Sequence, residues 1–144
     1  MIRAYIDSNV FLYAIGAPHR YREACRALLE STAARRLRGE VGVEVLQELV
    51  HHRRRRGDPE ATSRGRQAAA ICLAVHELTQ EDMLVAFGLI DRHPELPTRD
   101  ALHAATALQR GMEVVVSADA NFDMVLGLRR VDPLDRTAVA TLTS

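Results

Sequence analysis

The chain has 144 residues, 47% of them hydrophobic and 26% charged, which suits one compact domain with a substantial core. No apolar run approaches the roughly 20 residues that cross a bilayer, and the two cysteines, far apart in sequence, indicate neither a disulfide framework nor a cysteine metal site. We therefore expect a cytoplasmic protein with no membrane segment and two buried thiols.

The formal net charge is zero, but the charges are distributed unevenly along the chain. All 19 basic residues are arginines, and twelve of them lie between Arg20 and Arg66 together with seven acidic residues. The rest of the chain has seven arginines and twelve acidic residues. A protein that binds a polyanion with one surface and cations with another would show this asymmetry, but so would a set of solvated, arginine-rich helix faces.

Strands and helices are predicted to alternate along the chain. Short apolar runs bounded by turn residues predict strands at 2–6, 40–43, 73–78, 113–116 and 129–131. Apolar residues at helical spacing predict helices at 9–15, 21–36, 44–56, 59–72, 80–93 and 99–109. Helix starts are marked by a Thr79/Asp82 capping box, by Pro59 at a first helical position and by Thr98 as a cap. This order predicts an α/β fold with a short parallel sheet and helices on both faces.

Two acidic residues follow predicted strands. Asp7 comes directly after the first strand, and Asp119 follows the strand 113–116 by way of Ser117. In open parallel sheets, ligands bind beyond the carboxyl ends of the strands, so we expect both side chains at one edge of the sheet. Either residue alone would more often be a turn residue or a helix cap.

Other acidic residues lie on predicted helices. Glu44 and Glu48 are four residues apart and share one side of their helix. The helix dipole explains an acid at Glu44, near the helix start, but not at Glu48, one turn deeper. Asp100 falls in the first turn of an alanine-rich helix, where the dipole again favours an acid. The small residues after Asp100 should let this helix approach the sheet closely.

Four motifs, in this order and at this spacing, resemble the successive motifs of PIN domains. They are Tyr5-Ile6-Asp7-Ser8-Asn9-Val10, Val45-Leu46-Gln47-Glu48-Leu49, Arg99-Asp100-Ala101-Leu102-His103-Ala104-Ala105 and Ser117-Ala118-Asp119-Ala120-Asn121-Phe122-Asp123. The resemblance covers residues 2–133 of a single domain over 1–144 and makes 134–144 a C-terminal tail. Within the family, the chain is most similar to the free-standing VapC-type toxins of bacterial toxin–antitoxin pairs.

The resemblance implies a function and a set of site residues. It assigns the family's catalytic and metal-binding acidic quartet to Asp7, Glu48, Asp100 and Asp119. Ser117 and Asn121 would support the site, which would hold one or two Mg²⁺ or Mn²⁺ ions, both of which prefer oxygen ligands. Many members have an aspartate where this chain has Asn121, so the number of ions stays open. The implied reaction is hydrolysis of RNA to 5′-phosphate and 3′-hydroxyl ends.

The resemblance also implies partners: an RNA substrate, a small cognate antitoxin and a second copy of the chain in a homodimer. A PIN-like module that binds or processes RNA without a toxin role is the alternative. Receiver domains and haloacid-dehalogenase-like phosphatases also place an aspartate after the first strand. Both rely on a lysine, which this chain lacks.

A basic run ends the helix that carries Glu48. Its arginines predict a clamp for RNA phosphates beside the acidic site, formed by Arg53, Arg54, Arg55 and Arg56. The alternative is a solvated helix end whose cations complement the helix dipole. His103, three residues after Asp100, is expected to be structural or to flank the site rather than to bind metal.

Overall fold

The computed structural model describes residues 1–143. Its strands are β1 (Arg3–Ile6), β2 (Arg38–Gly42), β3 (Ala74–His76), β4 (Val114–Val116) and β5 (Arg129–Val131). Its α-helices are α1 (Ser8–Ile15), α2 (Arg22–Ala33), α3 (Val43–Arg55), α4 (Ala61–Ile71), α5 (Gln80–Arg92), α6 (Thr98–Gln109) and α7 (Arg136–Leu142), and a 3₁₀ helix spans Ala120–Met124. The strands pair in parallel in the order β3-β2-β1-β4-β5. The predicted α/β fold with a short parallel sheet is confirmed.

The strand order places helices on both faces of the sheet. The chain moves outward from β1 to β2 and β3, and then returns past β1 to β4. Because parallel crossovers are right-handed, the two directions of travel put their helices on opposite faces. The packing agrees, since α1 to α4 contact one another, and α5 packs on α6. All strands are parallel, so their carboxyl ends lie at one edge.

Helix α6 lies directly on the sheet. Every residue from 100 to 107 is buried, and four of these residues are alanines with no exposed surface. Small side chains allow the helix to approach β2 and β4 closely, as the sequence predicts. This approach brings the first turn of α6, including Asp100, towards the carboxyl edge of the sheet.

Two predicted helix starts are wrong and one is confirmed. Thr79 and Asp82 form the capping box at the start of α5. Pro59 is not in a helix, because the Asp58 carboxylate accepts a hydrogen bond from the Glu60 amide and holds a turn before α4 begins. Thr98 does not cap α6 but is its first residue.

The expected C-terminal tail, residues 134–144, contains helix α7. Asp135 caps this helix by accepting a hydrogen bond from the Ala138 amide at 3.0 Å, and Leu142 is fully buried. Residue 144 of the tail lies outside the described residues. Cys25 and Cys72 are free and buried, as expected. Within residues 1–143, no helix is both long enough and apolar enough to span a membrane.

Candidate active site

Asp7 lies at the carboxyl end of β1 and is only 4% exposed. One of its oxygens, Oδ1, accepts a hydrogen bond from the Ser8 amide and so caps α1. The other, Oδ2, accepts hydrogen bonds from Ser117 Oγ at 2.7 Å and from Asn9 Nδ2 at 3.1 Å. The side chain is therefore fixed by groups from the start of α1 and from Ser117, directly after β4.

Ser117 connects the carboxyl ends of the neighbouring strands β1 and β4. Its Oγ donates to Asp7 and accepts hydrogen bonds from Asn9 Nδ2 at 3.0 Å and from the Asp119 amide at 2.9 Å. Asp119 in turn caps the 3₁₀ helix by accepting a hydrogen bond from the Asn121 amide. Because β1 and β4 are neighbours, Asp7 and Asp119 arrive at the same edge of the sheet.

Asp100 approaches this edge from α6. It is 6% exposed, and its Oδ2 accepts a hydrogen bond from Asn121 Nδ2 at 3.2 Å. Asn121 therefore links the loop after β4 to α6 through its side chain, while its amide holds Asp119. The Asn121 side chain, predicted to support the site, thus contacts Asp100 of the predicted acidic quartet.

Glu48 reaches the same place from α3. Ser8 Oγ donates to its Oε2 at 2.6 Å, and His103 Nε2 lies 2.7 Å from its Oε1. The same His103 nitrogen is 4.0 Å from Asp7 Oδ1. One oxygen of Asp7, one oxygen of Glu48 and a ring nitrogen of His103 all lie within 4.8 Å of one another.

One open cavity of about 780 Å³ lies at this edge of the sheet. All four acids of the predicted quartet are on its wall: Asp7, Glu48, Asp100 and Asp119. Glu44 is not among the described residues that line the cavity, which agrees with the dipole explanation for that residue. The remaining wall is largely polar and basic, contributed by Ser8, Asn9, Gln47, His51, His52, Arg55, Arg56 and Arg99.

Two of the acids are held in conditions that oppose their ionisation. Burial raises the pKa of Asp7, although the neighbouring His103 favours its charged form. Burial raises the pKa of Asp100 to about 6, and the negative charges of Asp119 and Asp7 act in the same direction. A cation among these carboxylates would relieve the repulsion, so the cavity suits a positively charged ligand.

Glu48 and His103 influence each other's pKa values in the opposite sense. Burial raises the pKa of Glu48, but the hydrogen bonds from His103 and Ser8 outweigh it and leave the pKa below its usual value. Burial lowers the pKa of His103, and the hydrogen bond to Glu48 together with the charge of Asp7 raises it overall. Glu48 is therefore ionised at neutral pH.

The basic run at the end of α3 divides into two parts. Arg55 and Arg56 line the acidic cavity. Arg53 instead pairs with Asp58 at 2.8 Å, in a contact that Arg64 shares at 2.6 Å, and this pairing holds α3 to the turn before α4. Arg54 is exposed, and like Arg53 it is absent from the cavity wall within the described part of the chain.

Sequence reasoning passed over several residues of the site. Arg99 lines the cavity beside Asp100, with its Nε 3.9 Å from Glu48 Oε1, and a lone arginine in a first helical turn gave no signal. His103 was expected from its position three residues after Asp100 to be structural or to flank the site, but its contact with Glu48 was not predicted. Ser8 and Asn9 directly follow Asp7 at the start of α1, where Ser8 donates to Glu48 and Asn9 donates to Asp7 and Ser117.

Together, the fold and the site define an α/β protein with a carboxylate-lined cavity at the carboxyl edge of a parallel sheet. Residues 4–127 match the sequence profile of the PIN domain, and the chain belongs to the PIN-domain family.

Named relatives and a solved structure are similar to the chain over most of its length. Ribonuclease VapC7 of Mycobacterium tuberculosis is 36% identical over 122 residues, which cover 81% of this chain and 82% of the relative. Ribonuclease VapC13 of the same organism is 31% identical over 133 residues, covering 88% and 97%. A toxin–antitoxin complex from Klebsiella pneumoniae contains a chain of the same fold, with a TM-score of 0.67, 18% identity and coverage of 90% and 97%.

Proposed function

We propose that this chain is a metal-dependent endoribonuclease that hydrolyses RNA phosphodiester bonds. The observation that carries the proposal is the convergence of four carboxylates from β1, α3, α6 and the loop after β4 on one cavity. The names of its relatives support RNA as the substrate, since VapC7 and VapC13 are both called ribonucleases. Hydrolysis would leave 5′-phosphate and 3′-hydroxyl ends.

The donor set of the cavity fits a hard divalent cation. Carboxylate oxygens are the ligands that Mg²⁺ and Mn²⁺ prefer, and a bound cation would favour the charged forms of Asp7 and Asp100, whose pKa values burial raises. One or two ions would be held by Asp7, Glu48, Asp100 and Asp119. When bound, such ions polarise a phosphate, lower the pKa of a water and neutralise a leaving oxygen.

The chain's own residues hold this site in shape. Ser117 and Asn9 fix Asp7 by two hydrogen bonds to one oxygen, and Asn121 orients Asp100. In the reaction, a water oxygen bonds to phosphorus and gives up a proton, the bond from phosphorus to the 3′ oxygen breaks, and that oxygen takes up a proton. Preorganised acids lower the barrier because they need not rearrange as charge develops.

Basic residues on the cavity wall would bind the RNA backbone. Arg55, Arg56 and Arg99 stand beside the acids, where a polyanion entering the cavity would meet them. Of the four arginines predicted to form an RNA clamp, only Arg55 and Arg56 are proposed to bind RNA here. Arg53 is paired with Asp58, and Arg54 is away from the cavity wall. Binding through these arginines should weaken as the salt concentration rises.

The proposed biological role is that of a toxin controlled by a small antitoxin protein. The relatives carry VapC names, and the Klebsiella chain of the same fold comes from a toxin–antitoxin complex. We propose that the protein acts in the cytoplasm as a homodimer. Co-expression with the adjacent small gene should give a stable complex that lacks nuclease activity, whereas undiminished toxicity would argue against the toxin role alone.

A matched pair of substitutions on one helix tests the nuclease proposal. Glu48→Gln should abolish cleavage of a defined RNA in Mg²⁺ or Mn²⁺, because it removes a charge from the cavity and keeps the shape. Glu44→Gln, one turn earlier and off the cavity wall, should retain full activity. Mapping of the product ends should give 5′-phosphates. RNA binding without cleavage by the wild-type protein in either metal would show a binding module instead.

A further inference from the structure

Two buried residues outside the acidic quartet are connected to it by hydrogen bonds. Tyr5 has no exposed surface and His103 is 1% exposed, and Tyr5 Oη lies 2.7 Å from His103 Nδ1. The other ring nitrogen of His103 lies 2.7 Å from Glu48 Oε1. This chain of contacts runs from β1 through α6 to α3, and we call it the Tyr5–His103–Glu48 relay.

The relay determines how Glu48 is held. A carboxylate only accepts hydrogen bonds, so the 2.7 Å contact assigns the donated proton to His103 Nε2. Ser8 Oγ donates to the second oxygen of the same carboxylate. Both oxygens of Glu48 are therefore engaged by donors from elements other than its own helix. Such double engagement fixes the orientation of a side chain that would otherwise rotate freely.

Tyr5 in turn fixes the His103 ring. Its hydroxyl is packed tightly, because a Cβ added to Gly42 would lie 3.0 Å from Tyr5 Oη. Gly42 is the residue that precedes α3, so the hydroxyl is wedged against the start of the helix that carries Glu48. Because the Tyr5 hydroxyl is confined and lies 2.7 Å from His103 Nδ1, it holds the His103 ring in one orientation.

We propose that His103 and Tyr5 are positioning residues for Glu48: Tyr5 orients the His103 ring, and His103 orients the Glu48 carboxylate towards the bound cation. The inference rests on the proposed metal-dependent nuclease function. His103 acts through Glu48 rather than as a metal ligand, because its Nε2 proton faces the carboxylate and its Nδ1 faces Tyr5. Groups that orient a metal ligand in this way typically change activity or metal affinity 10–100-fold when they are replaced.

Four variants test the relay. His103→Phe removes the donor and keeps a ring of similar size, so kcat should fall about 10–100-fold while KM for RNA stays unchanged. His103→Gln should restore most of the activity, because its amide can donate from the position of Nε2. Tyr5→Phe should give a smaller loss, and adding it to His103→Phe should cause no further loss, because both act through one path. Circular dichroism checks folding, and Tyr5→Phe, the mildest change, keeps the test valid if His103→Phe does not fold.

A matched control comes from another buried tyrosine. Tyr21 is 5% exposed and its hydroxyl donates to Asp132 at 2.9 Å, away from the cavity wall. Tyr21→Phe should leave kcat and KM as they are in the wild-type protein. Equal losses in Tyr21→Phe and Tyr5→Phe would mean that any buried hydroxyl matters for packing alone and would overturn the relay.

Metal binding without RNA supplies an independent readout. Titration with Mn²⁺, followed by the electron paramagnetic resonance of the free ion, should give weaker binding to His103→Phe than to the wild-type protein or to His103→Gln. Spin-echo modulation of the bound Mn²⁺ should show no directly coordinated ¹⁴N. Strong ¹⁴N coupling that disappears in His103→Phe would make His103 a ligand and overturn the proposal, as would unchanged Mn²⁺ affinity together with unchanged kcat.

The metal titrations also separate this inference from the proposed function. If the wild-type protein cleaves no RNA, the nuclease proposal fails, yet the order of Mn²⁺ affinities still supports or refutes the relay. If cleavage is normal in every variant and Mn²⁺ affinities are equal, the nuclease proposal stands and the relay is wrong.

Discussion

Replacing Asp100 by Asn should stabilise the metal-free protein while it abolishes cleavage. Burial, reinforced by Asp119 and Asp7, raises the pKa of Asp100 from 3.8 to about 6. At about 1.4 kcal/mol per pH unit, this difference corresponds to about 3 kcal/mol of lost stability at neutral pH. Removing the charge should therefore raise the stability of the metal-free protein by about 3 kcal/mol.

Thermal unfolding in EDTA measures this gain. For a chain of this size, about 3 kcal/mol corresponds to a rise in Tm of about 6–12 °C at pH 7.5. The hydrogen bond from Asn121 should survive, because an asparagine oxygen at position 100 can still accept it. The same variant should lose RNA cleavage, so stability and activity should move in opposite directions.

The pH dependence of the stability gained in Asp100→Asn tests whether the charge of Asp100 is its cause. The folded protein binds a proton at Asp100 more tightly than the unfolded chain does, since the folded pKa is the higher one. The stability from this protonation is fully present below about pH 4 and is lost as the pH rises through about 6. The difference in Tm between Asp100→Asn and the wild-type protein should therefore shrink towards zero between pH 7.5 and pH 4. A lower Tm for the variant at pH 7.5, or a difference that does not change with pH, would refute the reasoning.

Three other predictions follow from the packing and the charges. Gly39→Ala should lower stability by about 1–3 kcal/mol, measured by denaturant unfolding, because an added Cβ would overlap the side chain of Ile6. The two buried cysteines, whose pKa values burial raises to about 12, should react with a thiol reagent at pH 8 only after denaturant is added. Changing Arg55 and Arg56 together to Gln should flatten the salt dependence of RNA affinity by about 0.7 in logarithmic slope per lost phosphate contact, and Arg54→Gln should not.

Much of the fold could be predicted because its signals are local. The buried apolar runs and the capping box at Thr79 and Asp82 predict the strands and the start of α5, since each depends on residues adjacent in sequence. Helix α7 escaped prediction because seven residues carry too little periodicity to distinguish a helix from a tail. The start of α4 was wrong for a different reason, because the charge contacts of Asp58 extend the turn before it.

The site also has features that the sequence could predict and features that it could not. Asp7 and Asp119 could be placed at one edge because parallel topology alone brings the ends of β1 and β4 together. The sequence could not predict that Arg53 pairs with Asp58 while Arg55 lines the cavity. This difference depends on where the turn after α3 places Asp58. The relay through His103 was equally hidden, because it requires the spacing between α6, β1 and α3.

The central claim is that the four carboxylates cleave RNA through a bound divalent cation, and one titration tests it most directly. Mg²⁺ is added to metal-depleted protein while the cleavage rate and Tm are followed on the same sample. The cleavage rate should rise and saturate as the site fills. Tm should begin to rise at the same Mg²⁺ concentration and then continue to rise with the logarithm of that concentration, because a ligand that binds only the folded state stabilises it by RT ln(1 + [L]/Kd). Neither should rise in Asp7→Asn over the same range. RNA cleavage that persists in EDTA, or that is undiminished in Asp7→Asn, would contradict the account.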